Sequence, residues 1–290
     1  MSEVRMDEGR LAVIDNIARA VADGDLFRKV EMGDPRVSPD EARRTLMRFD
    51  LERRSIFSRA KCAVALGIAD GETKKINANT EIVGIDNALS VTGGAVITSN
   101  HYNVVDNTVI RHMLTKCRRE KRLSIVIQES NVFMNGYFGF LMRNCKTLPV
   151  SGSAEYMSKR LKPALGRLLL GGEQILLYPE AEMWFNYRKP RGSMEGAYYY
   201  AAEFGVPVIP TFTEMRECEG IDAQGFKCVR HILHVMPPIY PRSELAKRAR
   251  YLDMKERDDT AKRECYERVY GIKADEKFIP ERDIAGYRAQ

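Results

Sequence analysis

From Asn79 onward the chain is punctuated by short apolar runs: Ala95 to Thr98, Ser124 to Gln128, Thr147 to Ser151, Gln174 to Tyr178 and Gly205 to Pro210. Each is bounded by turn residues and separated from the next by a stretch with helical periodicity. Strands buried on both faces read as unbroken apolar runs, and strand alternating with helix is the pattern of a parallel sheet with helical crossovers. The expected fold is therefore α/β: a mixed, largely parallel sheet flanked by helices, with Glu81 to Ala88 as an edge strand. Ligands of such sheets gather where strand ends meet loops.

Residues 1–74 differ in character. They read as a polar, helical N-terminal segment, so the chain divides into 1–74 and an α/β domain over 75–290. Ser38-Pro39-Asp40-Glu41 carries a cap, a proline at the first helical position and a capping-box glutamate. The helix expected from there to about residue 64 holds Arg43, Arg44, Arg48, Arg53, Arg54, Arg59 and Lys61 opposite Leu46, Phe49, Ile56, Ala60 and Val64. A basic amphipathic helix suits an anionic membrane surface. The plainer alternative is a helix packed on the main domain with a solvated basic face.

With 44% hydrophobic and 30% charged residues over 290 positions, the chain can build a substantial core and is not of the disordered class. The formal charge of +6 is too mild, its basic residues too dispersed and their interleaving with aromatics too confined, to one loop, to point to nucleic acid. No apolar run approaches the roughly 20 residues needed to span a bilayer, the longest being Cys62 to Ala69. Six cysteines without paired spacing, and an N-terminus without a signal-peptide core, suggest free thiols in the cytoplasm. Membrane contact is expected to be peripheral, at the inner face. The sequence leaves the oligomeric state open.

Chemistry concentrates at two strand ends. His101 follows the run Ala95 to Thr98, and Asp106 lies five residues on. With Asn103 as a cap, Asp106 is expected at the third position of a helix over 103–117, where backbone N–H groups favour a carboxylate. From there it can turn back to His101 and hold one ring nitrogen as a donor, leaving the other to accept a proton from a hydroxyl. Glu180, after Gln174 to Tyr178, is a second carboxylate at a strand end.

Further features bear on binding. The segment Val132 to Met142 is apolar on nearly every side, as core or as the wall of a greasy groove. Lys116 to Arg122 is a cationic helix end that suits the macrodipole and could also receive a phosphorylated or acidic partner. His231 and His234, with Cys218 and Cys228, fit no common zinc spacing, and no metal site is expected. The charged tail after Pro241 reads as a helical surface element.

The order of these pieces resembles the glycerolipid (lysophospholipid) acyltransferase superfamily, which includes 1-acylglycerol-3-phosphate acyltransferases, over about residues 79–240. A block of the form NHxxxxD is matched by Asn100-His101-Tyr-Asn-Val-Val-Asp106, after Val83-Gly-Ile-Asp-Asn87. A block of the form FPEGTRS is matched by Tyr178-Pro179-Glu180-Ala181-Glu182-Met183-Trp184, and a VPVxP strand by Val206 to Pro210. Gly139 and Thr147 to Gly152 occupy the place of the remaining block.

The resemblance implies transfer of a fatty acyl group from acyl-CoA or acyl carrier protein, as substrate rather than bound cofactor, to the hydroxyl of a lipid-type acceptor. It gives His101 and Asp106 the catalytic roles, with Asn100, Tyr178 and Glu180 holding substrate, and backbone N–H groups near the start of helix 103–117 as oxyanion donors. Two departures stand out. Gly152 falls where phosphate-using members carry arginine, and Ala181-Glu182-Met183 replaces glycine, threonine and arginine. Arg188, Lys189 and Arg191 are the cations that could take over a phosphate. The alternative from another class is a non-catalytic lipid or acyl-carrier binding protein that keeps the fold.

Overall fold

The computed structural model describes residues 5–33, 38, 40, 41, 44, 46 and 55–288. The helices α1 (Glu8–Ala22) and α2 (Ile56–Ile76) precede the sheet. Then follow β1 (Glu81–Val83), α3 (Ile85–Leu89), β2 (Ala95–Thr98), α4 (Asn107–Lys116), β3 (Leu123–Gln128), α5 (Gly136–Asn144), β4 (Thr147–Val150), α6 (Lys162–Leu170) and β5 (Gln174–Leu177). The chain ends with α7 (Gly196–Phe204), β6 (Val208–Ile221), β7 (Lys227–Val235), α8 (Lys247–Tyr270) and α9 (Pro280–Asp283). Before α6 the helix already runs through Ala154–Tyr156 and a π-turn, Met157–Leu161. Pro163 has no N–H to return to the preceding turn, which widens accordingly.

The seven strands order as β1-β7-β6-β2-β5-β3-β4, all neighbours parallel except the antiparallel pair β6 and β7. The expected mixed, largely parallel sheet is thus present, and side chains along its strands alternate between two cores. Val96, Val126, Ile175 and Val208 face Leu161, Leu165, Leu169 and Ala201 on one side. Ala95, Ile97, Ile125, Ile127, Leu176 and Ile209 face Val109, Ile110 and Met113 of α4 on the other. Each such side chain contributes roughly 1.5–3 kcal/mol through burial, so every strand is fastened from both faces.

Several boundaries differ from expectation. The edge strand ends at Val83, because Gly84 turns left-handed (φ 78°) where a Cβ would lie 2.4 Å from the Val235 carbonyl oxygen, and α3 begins. The strand expected to stop at Pro210 continues to Ile221. Its proline does no harm: Pro210 turns its backbone toward β7, which ends at Val235, and its carbonyl still accepts from the Met236 N–H at 3.0 Å. The tail is not a surface element: α8 buries Met254, Asp258, Lys262, Cys265 and Tyr266 against the sheet. Asp258 accepts hydrogen bonds from Thr98 and Lys262 at 2.9 and 2.8 Å and from Tyr198.

Residues 132–142 form a 3₁₀ turn and α5. Val132 and Gly139 are buried while Tyr137 and Phe138 are about half exposed, so the segment is core on one side only. Of the cationic helix, residues 39, 42, 43, 45 and 47–54 lie outside the described residues. Arg59, Lys61 and Val64 are exposed on α2, whose other side packs on α4 and α5. No helix among the described residues is long and apolar enough to cross a membrane.

Candidate active site

β2 and β5 are adjacent and in register, Thr98 beside Leu177. Three residues beyond each come His101 and Glu180, which therefore leave the sheet side by side at the carboxyl ends of the strands. The His101 N–H donates to Glu180 Oε2 at 3.1 Å. Beyond β2 the chain keeps pairing with the loop after β5: Trp184 N–H donates to the His101 carbonyl at 3.0 Å and Asn186 N–H to that of Tyr102 at 2.9 Å.

Asp106 is not at the third helical position. It is the residue before α4, following a turn closed by its own N–H to the Asn103 carbonyl, and its side chain caps nothing. The carboxylate points back instead. Its Oδ2 lies 2.6 Å from His101 Nδ1 and accepts the Tyr102 N–H at 3.2 Å, while Oδ1 accepts the Tyr178 hydroxyl at 2.6 Å. With the carboxylate as acceptor, Nδ1 carries the imidazole proton and Nε2 is left with its lone pair. The Tyr178 ring stacks on the imidazole, centroids 4.1 Å apart and planes 16° from parallel. Asp106 is buried, whereas the His101 side chain keeps 22% of its surface open.

The N–H groups of Asp106, Thr108 and Val109 are engaged by carbonyls within the turn, and that of Val105 by the Asn103 side chain. Most of the backbone donors expected to face a substrate at the start of this helix are thus already occupied.

Asn100 is buried beside the sheet. Its amide pairs with Thr213, accepting from the N–H at 2.8 Å and donating to the carbonyl at 3.1 Å. It thereby stands in for a strand backbone where β2 has ended and β6 goes on. Glu180 is likewise enclosed, accepting the His101 and Arg191 N–H groups and the Arg191 guanidinium at 3.1 Å. That guanidinium also donates to the Glu182 and Leu26 carbonyls and lies 4.4 Å over Trp184. Burial lowers the Arg191 pKa and Glu180 opposes the shift.

The two other candidate cations turn inward too. Arg188 donates to the Arg282 carbonyl at 2.7 Å and to Glu217 at 3.2 Å; buried Lys189 lies 3.4 Å from Asp283. Each of the three is engaged by a carboxylate, Arg188 by Glu217, Lys189 by Asp283 and Arg191 by Glu180, so a phosphate taken up here would displace that partner. The cationic run Lys116 to Arg122 ends where β3 starts, at the opposite end of the sheet from His101. Gly152 is exposed, and a Cβ there would meet no atom within 4 Å. Ala181, in the place of a glycine, keeps a left-handed backbone (φ 65°).

Trp184, at the end of the block that begins at Tyr178, and Arg191 serve as anchors. Trp184 Nε1 donates to the Arg28 carbonyl at 2.9 Å, and with Arg191 it binds the segment after α1 to the site loop. His231 packs against Tyr102 with ring centroids 5.3 Å apart, and burial lowers its pKa to about 4. His234 faces Glu214 at 2.7 Å. The two histidines have separate partners, and no group of three metal-binding side chains occurs among the described residues.

Residues 79–214 match the family model described as Acyltransferase. Among solved structures the chain is similar to that of the 1-acyl-sn-glycerophosphate (LPA) acyltransferase PlsC from Thermotoga maritima, at 12% identity and a TM-score of 0.51, covering 91% of this chain and 95% of that one. No curated protein matches the chain. Residues 79–214, which carry both strand-end blocks, thus match the Acyltransferase family, and the α/β fold around them is shared with PlsC.

Proposed function

We propose that the protein transfers a fatty acyl group from a thioester, acyl-CoA or acyl carrier protein, to the hydroxyl of a lipid-type acceptor, with His101 as general base. The observation that carries this reading is the 2.6 Å contact between Asp106 and His101 Nδ1 beneath a partly open imidazole. A base fixed in one tautomer can take the acceptor proton through Nε2 as the alcohol oxygen attacks the thioester carbonyl. Asp106 stabilises the imidazolium that forms. The proton then passes to the departing thiolate, so no acyl-enzyme is required.

Glu180 acts here as a positioning residue, fixing the backbone of His101 and the loop carrying Tyr178, rather than as a hand on the acceptor. Exposed Phe57, Lys61 and Val64 on α2 support a peripheral contact with an anionic membrane. The deciding experiment incubates the protein with labelled acyl-CoA and labelled acyl carrier protein in a lipid extract and identifies the product by mass spectrometry. Acylated lipid formed by wild type and not by His101→Ala supports the reading. Thioester binding without any product would favour a non-catalytic binding protein.

A further inference from the structure

The Asp106 carboxylate has two oxygens with different partners. Oδ2 serves His101 and the Tyr102 N–H, whereas Oδ1 serves Tyr178. The Tyr178 ring simultaneously covers one face of the imidazole. One side chain from the end of β5 therefore touches both members of the pair that stands on β2 and α4. We propose that Tyr178 is a positioning residue that fixes the rotation of the Asp106 carboxylate and, by donating to Oδ1, tunes how strongly Asp106 holds the proton of His101.

This rests on His101 and Asp106 forming the base pair proposed above. A carboxylate that accepts a short phenol hydrogen bond is a weaker acceptor toward its other donor, so it stabilises an imidazolium at its other oxygen less than it would without Tyr178. The phenol is not a proton source at neutral pH, since burial and the adjacent Asp106 raise its pKa well above the ordinary value. The other titratable or charged groups around the pair are Tyr102 beside it in the loop, His231 from β7, and Glu180 with Arg191 behind the His101 backbone. Of these, Tyr178 is the group whose hydroxyl donates to Asp106, and its removal leaves the ring stack in place.

The test follows the His101 imidazole by NMR titration, its signal assigned by loss in His101→Ala, in wild type and in two variants with opposite expected signs. Tyr178→Phe removes the donor and should raise the His101 pKa by about half a unit or more. Fluorotyrosine at 178, a more acidic phenol and stronger donor, should lower it. The acid limb of kcat/KM, which reports the free enzyme's essential base, should move the same way. If the NMR pKa shifts and the acid limb does not, Tyr178 has the proposed role and His101 is not the base. If the NMR pKa is unchanged in both variants, the role assigned to Tyr178 is overturned. A purely structural Tyr178 would change stability in Tyr178→Phe without the opposed shifts.

Discussion

The Glu180 carboxylate and the Arg191 guanidinium meet at 3.1 Å with side-chain exposures of 4% and 1%, directly behind the backbone of His101. A pair so enclosed gives little net stability when intact, but loss of one partner strands the other charge. Arg191→Met is expected to cost about 3–5 kcal/mol in urea unfolding. The double variant Glu180→Gln, Arg191→Met should cost clearly less than the sum of the singles. Unchanged stability in Arg191→Met, with a raised KM for phosphate-bearing acceptors, would instead make Arg191 a substrate ligand.

His101→Ala should lose about 10²- to 10⁴-fold in kcat, the usual worth of a general base, while keeping its melting temperature. The imidazole is partly exposed and stacks on Tyr178 at the surface of the fold. Asp106→Asn should lose activity and also stability. Its single carbonyl oxygen cannot accept from His101, Tyr102 and Tyr178 as the two carboxylate oxygens do. Turnover at the wild-type rate by well-folded His101→Ala would rule out the proposed mechanism.

The parallel strands were legible because burial on both faces leaves unbroken apolar runs such as Ile125-Val126-Ile127. That His101 and Glu180 stand just past strand ends was legible from the apolar runs that precede them. What escaped the sequence depends on which side chain turns where. Nothing local to Asp106 says that its carboxylate faces back past its own turn rather than capping α4. The partner of Glu180 is eleven residues on, across a loop whose path is fixed by Trp184 and by the segment after α1. Asn100 looked like part of the chemical block, yet its amide completes a strand ladder that ended two residues earlier.

His231 makes stability depend on pH. Its folded pKa of about 4 lies below the ordinary 6.5 because burial disfavours the imidazolium. The unfolded chain therefore binds more protons between these values, and stability must fall as pH drops through that window. The loss should total about 3 kcal/mol by pH 4. Denaturant titrations between pH 7 and pH 4 should show this slope in wild type and a shallower one in His231→Gln; equal slopes would mean that His231 is solvated or already charged in the fold.

Binding to anionic vesicles is expected at low ionic strength and should weaken as salt rises, each well-placed cation contributing about 1 kcal/mol near the surface. Arg59 and Lys61 are exposed beside Phe57 on α2. Co-sedimentation at increasing salt measures it, with Phe57→Ser and Lys61→Glu as the diagnostic variants. Absence of binding to anionic vesicles at low salt would remove the membrane role.

The acceptor can be probed at Gly152. This residue follows β4 in an exposed turn, its backbone is not left-handed, and a side chain there meets no neighbour within 4 Å. Arginine can therefore be installed without distorting the fold, at the place where the family resemblance leads one to expect it. The cations that could otherwise hold a phosphate are committed elsewhere: Arg188 to Glu217, Lys189 to Asp283 and Arg191 to Glu180. Lysophosphatidic acid should accordingly be a poorer acceptor for the wild-type protein than an uncharged lipid alcohol. A charge-assisted hydrogen bond is worth roughly 1.5–3 kcal/mol, equivalent to about a tenfold or greater change in affinity. Gly152→Arg should lower the KM for lysophosphatidic acid by about that factor and leave the uncharged acceptor unaffected. Steady-state kinetics on the paired acceptors decides it. If wild type already prefers lysophosphatidic acid and Gly152→Arg changes nothing, the phosphate is held by other residues and the inference from Gly152 fails.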